Sequence, residues 1–293
     1  MFGKSIAAVV MSLVMSLAIS LAVAGQALAA AVFYQPQNRD AGVAAAEWRQ
    51  TFEDLRRAGH DELVVQWTRF DSEDFGGADG WLSGVVDQAL EAGIRVRIGL
   101  AWDSAWFARL EAGGASWQAY FNGLLRESYL QAGRWQAYRA HPGFAGWYLP
   151  LELPDRGLTD RARQAIVAQQ LGRLRTALDA PLAVSSYFTG FQPPSDYANW
   201  VLELGQLSGV EVWVQDGAGT GRLTAAQRDL YLDRLDCSIG IVHEAFVQVS
   251  GEGESFAAEA RAPELPDAGD CHAPLVFSLR YLPQGLRLPG PGD

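Results

Sequence analysis

The stretch "GFAGWYLPLELPD", Gly143–Asp155, begins as an apolar strand and ends among carboxylates, with the helix-period segment "RARQAIVAQQLGRLRTALD" (Arg161–Asp179) after it. A short apolar run bounded by Gly and Pro, followed by a long amphipathic segment, is the signature of a strand leading into a helix. The same unit recurs in both directions along the chain. Upstream lie "AVFYQPQ" (Ala31–Gln37), "ELVVQWTRF" (Glu62–Phe70) and "RVRIGLAWD" (Arg95–Asp103). Downstream lie "PLAVSSYFTG" (Pro181–Gly190), "GVEVWVQDG" (Gly209–Gly217), "CSIGIVHEAF" (Cys237–Phe246) and "APLVFSLRYLP" (Ala273–Pro283). Eight strands alternating with helices predict a parallel sheet with right-handed crossovers, closed into an α/β (β/α)8 TIM-like barrel. "AVFYQPQNRD" lacks the glycine fingerprint that a dinucleotide fold carries after its first strand. Two places depart from a regular barrel. "SGEGESFAAEARAPELPDAGD" (Ser250–Asp270) is polar and Gly/Pro-rich where a seventh helix belongs, and "QGLRLPGPGD" (Gln284–Asp293) offers no closing helix.

The N-terminal segment reads as a secretory signal, residues 1–29: Lys4, an apolar run, then Ala27-Leu28-Ala29 as an A-x-A cleavage site. The single domain then occupies residues 30–293, exported to the periplasm or secreted, with no stable membrane insertion after cleavage. In an oxidising compartment Cys237 and Cys271 are expected to form a disulfide, which would staple the irregular sector before the eighth strand. Apolar residues make up 49% of the chain, with ten Trp, enough for a sizeable core. A net charge of −11 disfavours nucleic acid and anionic membranes and suits neutral or cationic partners.

Several chemistries are excluded by pattern. The four His (60, 141, 243 and 272) have no zinc-ligand spacing, no G-x-S-x-G elbow is present, and neither a metal nor a cofactor is expected. The glycine-bearing turn "DGAGTGRL" (Asp216–Leu223) reads as a flexible strand-to-helix loop, with phosphate binding the less favoured reading.

Reactive groups of a parallel barrel gather at the C-terminal ends of its strands. Asp103, Glu152, Asp216 and Glu244 end strands three, four, six and seven, and paired carboxylates across a mouth are the apparatus of glycoside hydrolysis. Strand alternation puts Tyr148, Pro150 and Glu152 on one face, and only one of His243 and Glu244 can share it. Tyr34, Trp67, Trp102, Trp106, Tyr148, Tyr187 and Trp213 near strand ends are candidate sugar-stacking rings or barrel core, with Trp106 expected as a surface platform. Gln35, Gln66, Arg69, Asp103 and Gln215 are candidate partners for sugar hydroxyls.

An acid after strand four and another after strand seven resembles the large retaining glycosidase clan built on TIM barrels. "FYQPQNRD", "LVVQWTRF", "GWYLPLE" and "VWVQDGAG" also resemble a bacterial family of glycosidase-like barrel domains of unknown function. The resemblance implies Glu152 as general acid/base, Glu244 as nucleophile and a carbohydrate as partner. Leu151 stands where the clan has Asn, so Gln215-Asp216 is an alternative source of Glu152's catalytic partner. A catalytically inactive glycan-binding or scaffold barrel in an envelope polysaccharide system is the other reading.

Overall fold

The structure is a computed structural model that describes residues 30–251, 254, 256–266 and 270–288. The expected secretory signal, residues 1–29, lies outside the described residues. Eight parallel strands form a closed barrel: β1 (Ala31–Tyr34), β2 (Glu62–Val65), β3 (Arg95–Gly99), β4 (Phe144–Pro154), β5 (Leu182–Tyr187), β6 (Glu211–Gln215), β7 (Gly240–Glu244) and β8 (Pro274–Phe277). Each pairs with its sequence neighbours, and β1 closes the ring on β8. The α/β barrel expected from the sequence is therefore the fold.

Seven α-helices among the described residues surround it: α1 (Ala45–Arg57), α2 (Trp81–Glu91), α3 (Trp106–Ala112), α4 (Gly114–Arg134), α5 (Arg161–Leu178), α6 (Pro194–Ser208) and α7 (Ala225–Leu232). Local chemistry fixes the starts of α5 and α7. The Asp160 carboxylate accepts the Ala162 N–H at 3.1 Å to cap α5, and Thr224 and Gln227 form a reciprocal capping box on α7. Such caps contribute about 0.5–2 kcal/mol each. The segment after β3 holds α3.

Strand alternation sorts the barrel into layers. At the N-terminal end Arg97 reaches Glu62 (2.9 Å) and Glu211 (3.1 Å). Above them Phe33, Val64, Tyr148, Ala183, Trp213, Val242 and Leu275 fill the middle. Tyr148 and Trp213 stack with centroids 5.5 Å apart, and the Arg97 guanidinium lies 5.1 Å from the Trp213 ring. On the outer face Leu63, Val65, Trp147, Leu149, Val184 and Val214 pack with the helices through Val85, Leu171, Trp200 and Val201. Gly99 is required by close approach, since a Cβ there would lie 2.2 Å from the Gln66 carbonyl oxygen.

One irregularity sets up the site. Leu149 pairs with Val184, but Glu152, three residues on, pairs with the next residue, Ser185. Two residues are thus inserted in β4. An insertion of two preserves side-chain parity, where one would have turned every later side chain to the opposite face. Glu152 therefore keeps Tyr148's inward direction, while Leu151 joins the outer core, fully buried.

The weak sector is built as a hairpin. Phe246–Gln248 pairs antiparallel with Ala258–Ala260, and no α-helix separates β7 from β8 among the described residues. Cys237 and Cys271 are bridged across 34 residues with Cα atoms 5.2 Å apart. On the chain-entropy account, closing such a loop stabilises by about 4 kcal/mol. After β8 come two 3₁₀ turns, Leu279–Tyr281 and Pro283–Arg287, and no closing α-helix among the described residues. Among the described residues no helix is long and apolar enough to cross a membrane.

Candidate active site at the barrel mouth

At the C-terminal end of the barrel lies a cleft with two lobes, of about 490 Å³ and about 510 Å³. Five residues line both lobes: Glu152, Gln215, Thr220, Glu244 and Phe256. The two carboxylates therefore sit at the waist. One lobe extends beneath Gln35, Gln37, Arg39, Phe277, Arg280 and Tyr281 at the β1 and β8 ends. The other extends toward Phe107, Glu111, Arg156, Tyr187, Thr189 and Arg222 at the β4, β5 and β6 ends.

Glu244 is 5% exposed and follows inward-facing Val242 by two positions, so His243 points outward. Glu244 Oε2 accepts backbone N–H groups from Gly219 (2.6 Å) and Thr220 (3.3 Å). Burial pushes its carboxyl up to about 7, helped by the nearby charges of Asp216 and Glu152 and opposed by those two amides. Glu152 is half-buried, and burial raises its carboxyl too, against a hydrogen bond from Gln215. Two carboxyls of one cleft, each held above the usual carboxylate range by burial, are the kind of pair whose environments can set one as acid and the other as base.

The loop read as a flexible turn has a defined role. The amides of "DGAGTG" do cradle an anion, but the anion is the protein's own Glu244. Gly219 fits because a Cβ there would lie 2.7 Å from the Phe246 carbonyl oxygen, and that same Gly219 accepts the Gln248 N–H at 2.8 Å. Asp216 stands behind this arrangement. Its Oδ1 accepts from Ala218 N–H (2.9 Å) and Glu244 N–H (3.3 Å), and its Oδ2 lies 3.5 Å from His243 Nδ1. It is buried and lines neither lobe, so it positions Glu244 rather than facing the cleft.

The other residues expected at a sugar site separate into groups. Gln35, Tyr187 and Gln215 line the cleft with Glu152 and Glu244. Burial and the Glu152 charge push the Tyr187 hydroxyl well up. Arg69, Trp102 and Asp103 line a separate cavity of about 590 Å³ beside α4, where Arg69 is ion-paired with Glu127. Gln66 is buried, and half-buried Trp67 donates its Nε1–H to the Pro36 carbonyl at 3.2 Å; neither lines either lobe.

Four expected ring contacts are corrected. Trp106 is fully buried, not a surface platform, and its Nε1–H donates to the Glu152 carbonyl at 2.9 Å. It steadies the backbone that carries the acid. Tyr148 and Trp213 belong to the middle layer below the cleft, with the Tyr148 hydroxyl 2.8 Å from Ser185 Oγ. Tyr34 faces the outer core, where its hydroxyl donates to Asp40 at 2.8 Å. Of the cleft residues not singled out from the sequence, Phe256 lies in a Gly-rich polar segment, Thr220 and Arg222 lie in the glycine-bearing turn and Arg39 in "FYQPQNRD", both noted without a role for these side chains, while Arg156 and Arg280 carry no motif.

Residues 30–268 match the family described as "Domain of unknown function (DUF4434)", and the chain belongs to that family. It is 35% identical over 271 residues to "Uncharacterized protein YbcH" of Escherichia coli (strain K12), covering 86% of this chain and 90% of that protein. Among solved structures it is similar to a candidate α-L-fucosidase from Bacteroides thetaiotaomicron VPI-5482. That match has a TM-score of 0.59 and 13% identity, covering 87% of this chain and 89% of the other. The spore cortex-lytic enzyme SleL of Bacillus cereus matches with a TM-score of 0.43 and 10% identity, over 80% and 55% of the two chains.

Proposed function

We propose that this protein is an exported glycoside hydrolase acting on a polysaccharide or oligosaccharide through Glu152 and Glu244. The observation that carries the reading is that these two acids, both held above the ordinary carboxylate range, line both lobes of one cleft. A glycan crossing the waist presents its glycosidic bond to both. Glu152, protonated, gives its proton to the leaving oxygen. Glu244, ionised and held by the Gly219 and Thr220 amides, attacks the anomeric carbon. The glycosidic C–O bond breaks as a glycosyl ester forms on Glu244. Glu152, now a carboxylate, deprotonates the water that hydrolyses the ester, which returns both groups to their starting forms with net retention. Gln215 beside Glu152 and Phe256 at the waist position the sugar. The barrel shared with a candidate fucosidase supports the reading at the level of fold, and the disulfide supports an oxidising compartment.

A second reading has one observation in its favour. Leu151 is an apolar core residue, so the position before Glu152 supplies no amide to a sugar hydroxyl. On that reading the barrel binds glycan without cleaving it. A screen against microbial exopolysaccharides, reading new reducing ends, separates the two. The hydrolase reading expects release by the wild type that Glu152→Gln and Glu244→Gln each abolish. Binding without release by the wild type would overturn it.

A further inference from the structure

The cleft differs in charge from the molecule that carries it. The chain as a whole is −11, yet apart from Glu152 and Glu244 the charged side chains among the described residues that line the two lobes are four arginines and one acid, Glu111. In the first lobe Arg280 is ion-paired with buried Asp40 and donates to the Gln35 carbonyl at 3.0 Å, and Arg39 Nε donates to Gln37 at 2.6 Å. These two are built into the wall.

Arg156 and Arg222 in the second lobe are different. Both are exposed, and neither has a hydrogen-bond or ion-pair partner among the described residues. Arg156 lies 6.0 Å over the Phe191 ring, which is itself 59% exposed. It follows Asp155, whose carboxylate, fully buried, accepts from Thr189 Oγ1 (2.7 Å), Phe191 N–H (2.9 Å) and Gln192 N–H (3.3 Å), so its base is rigid. Arg222 sits two residues beyond Thr220, on the loop that clamps Glu244, and its charge acts on the Tyr187 hydroxyl. Neither Arg156 nor Arg222 is hydrogen-bonded or ion-paired with Glu152 or Glu244. The positive charge therefore belongs to the lobe and not to the acid pair.

We infer that the second lobe is a subsite for an anionic sugar, with Arg156 and Arg222 receiving a carboxylate, sulfate or phosphate group one or more residues away from the cleaved bond. The inference rests on the hydrolase reading for the placement of the bond. A guanidinium presents its donors in a planar fork that matches such oxyanions, and an exposed Arg has no competing partner to give up. Fields from the acidic exterior fade over about 8 Å at physiological salt, so the charge near the ligand governs selectivity. Net charge suggested neutral or cationic partners; the lining of the cleft points the other way.

The test uses the full mature chain carrying Glu152→Gln, which binds without turnover, and calorimetric titration with matched oligosaccharides. The arms are neutral, uronate-bearing, sulfated and phosphorylated. One or more anionic arms should bind at least about tenfold tighter than the neutral one, with affinity falling as salt rises. Arg156→Ala with Arg222→Ala should weaken that arm about 10–100-fold, and Arg→Lys at both positions should weaken it less. The winning arm identifies the oxyanion. Equal or tighter binding of the neutral arm, or anionic affinity indifferent to the double substitution, overturns the inference. Neutral glycan cleaved by the wild type in a Glu152-dependent way would then leave the hydrolase reading standing. Failure to bind or cleave any arm would overturn both.

Discussion

Replacing Glu244 by Gln should make the protein more stable at alkaline pH, while removing a group the chemistry needs. In the folded state burial and the neighbouring Asp216 charge raise this carboxyl from an ordinary 4.5 to about 7. Between those values the folded protein holds a proton that the unfolded chain has released. Stability therefore falls as pH rises through this window, and the penalty is complete above about 7. At about 1.4 kcal/mol per pKa unit the gap comes to about 3 kcal/mol. Gln has no charge to bury, and its Oε1 can still accept the Gly219 and Thr220 amides that Glu244 Oε2 accepts. Chemical denaturation of wild type and Glu244→Gln from pH 4 to pH 9 measures the difference. The variant should gain about 3 kcal/mol at pH 8–9, with the advantage shrinking through pH 7 and gone near 4.5. A difference independent of pH, or a variant no more stable at pH 8, would refute the account of Glu244 as a strained, buried acid.

The same ionisation should appear in catalysis: kcat/KM should fall on the acid side of about 7, where Glu244 takes up a proton, and an acid limb near 4 would instead place Glu244 in an ordinary environment. Gly219→Ala should push the loop off Phe246 and release the Glu244 carboxylate, lowering kcat by at least about tenfold with little change in KM; an unchanged kcat would mean that the clamp has no part in positioning. Reducing the Cys237–Cys271 bridge, or replacing both residues with Ser, should cost about 4 kcal/mol in denaturant titrations, and identical midpoints with and without reductant would show that the bridge does not form.

The barrel was legible because its signal is repeated. Most strand runs are apolar on both faces, as strands sandwiched between helices and a filled interior are, and eight repetitions leave little ambiguity about closure. The direction of Glu152 was legible for a subtler reason: alternation survives the β4 insertion only because two residues were added. The rings were harder. Trp106, Tyr148 and Trp213 lie near strand ends in the sequence, but whether a ring meets sugar or core depends on its depth along the barrel axis, which register fixes and a single strand does not reveal. Arg69, Trp102 and Asp103 went astray similarly, because the small ladder pairing Arg69–Phe70 with Ala101–Trp102 carries them to another cavity. Phe256 was invisible in advance, and the turn that carries the clamp amides of Gly219 and Thr220 was noted without the anion it holds, Glu244. Backbone donors have no letter in a sequence, and the hairpin that brings Phe256 over the mouth occupies a stretch whose composition reads as loop.

The general-acid role of Glu152 is tested most directly by leaving-group dependence. Glycosides of one sugar with alcohols and phenols of graded acidity should be hydrolysed by wild type and by Glu152→Gln, and the rates compared. A poor leaving group needs the proton that Glu152 supplies, whereas a good one departs without it. The variant should be slower by about 10²–10⁴-fold on alkyl glycosides and close to wild type on the most acidic phenols in the step that cleaves the glycosidic bond. A loss of the same size across the whole series, or no loss on the alkyl glycosides, would contradict the assignment of Glu152 as the acid at the mouth of this barrel.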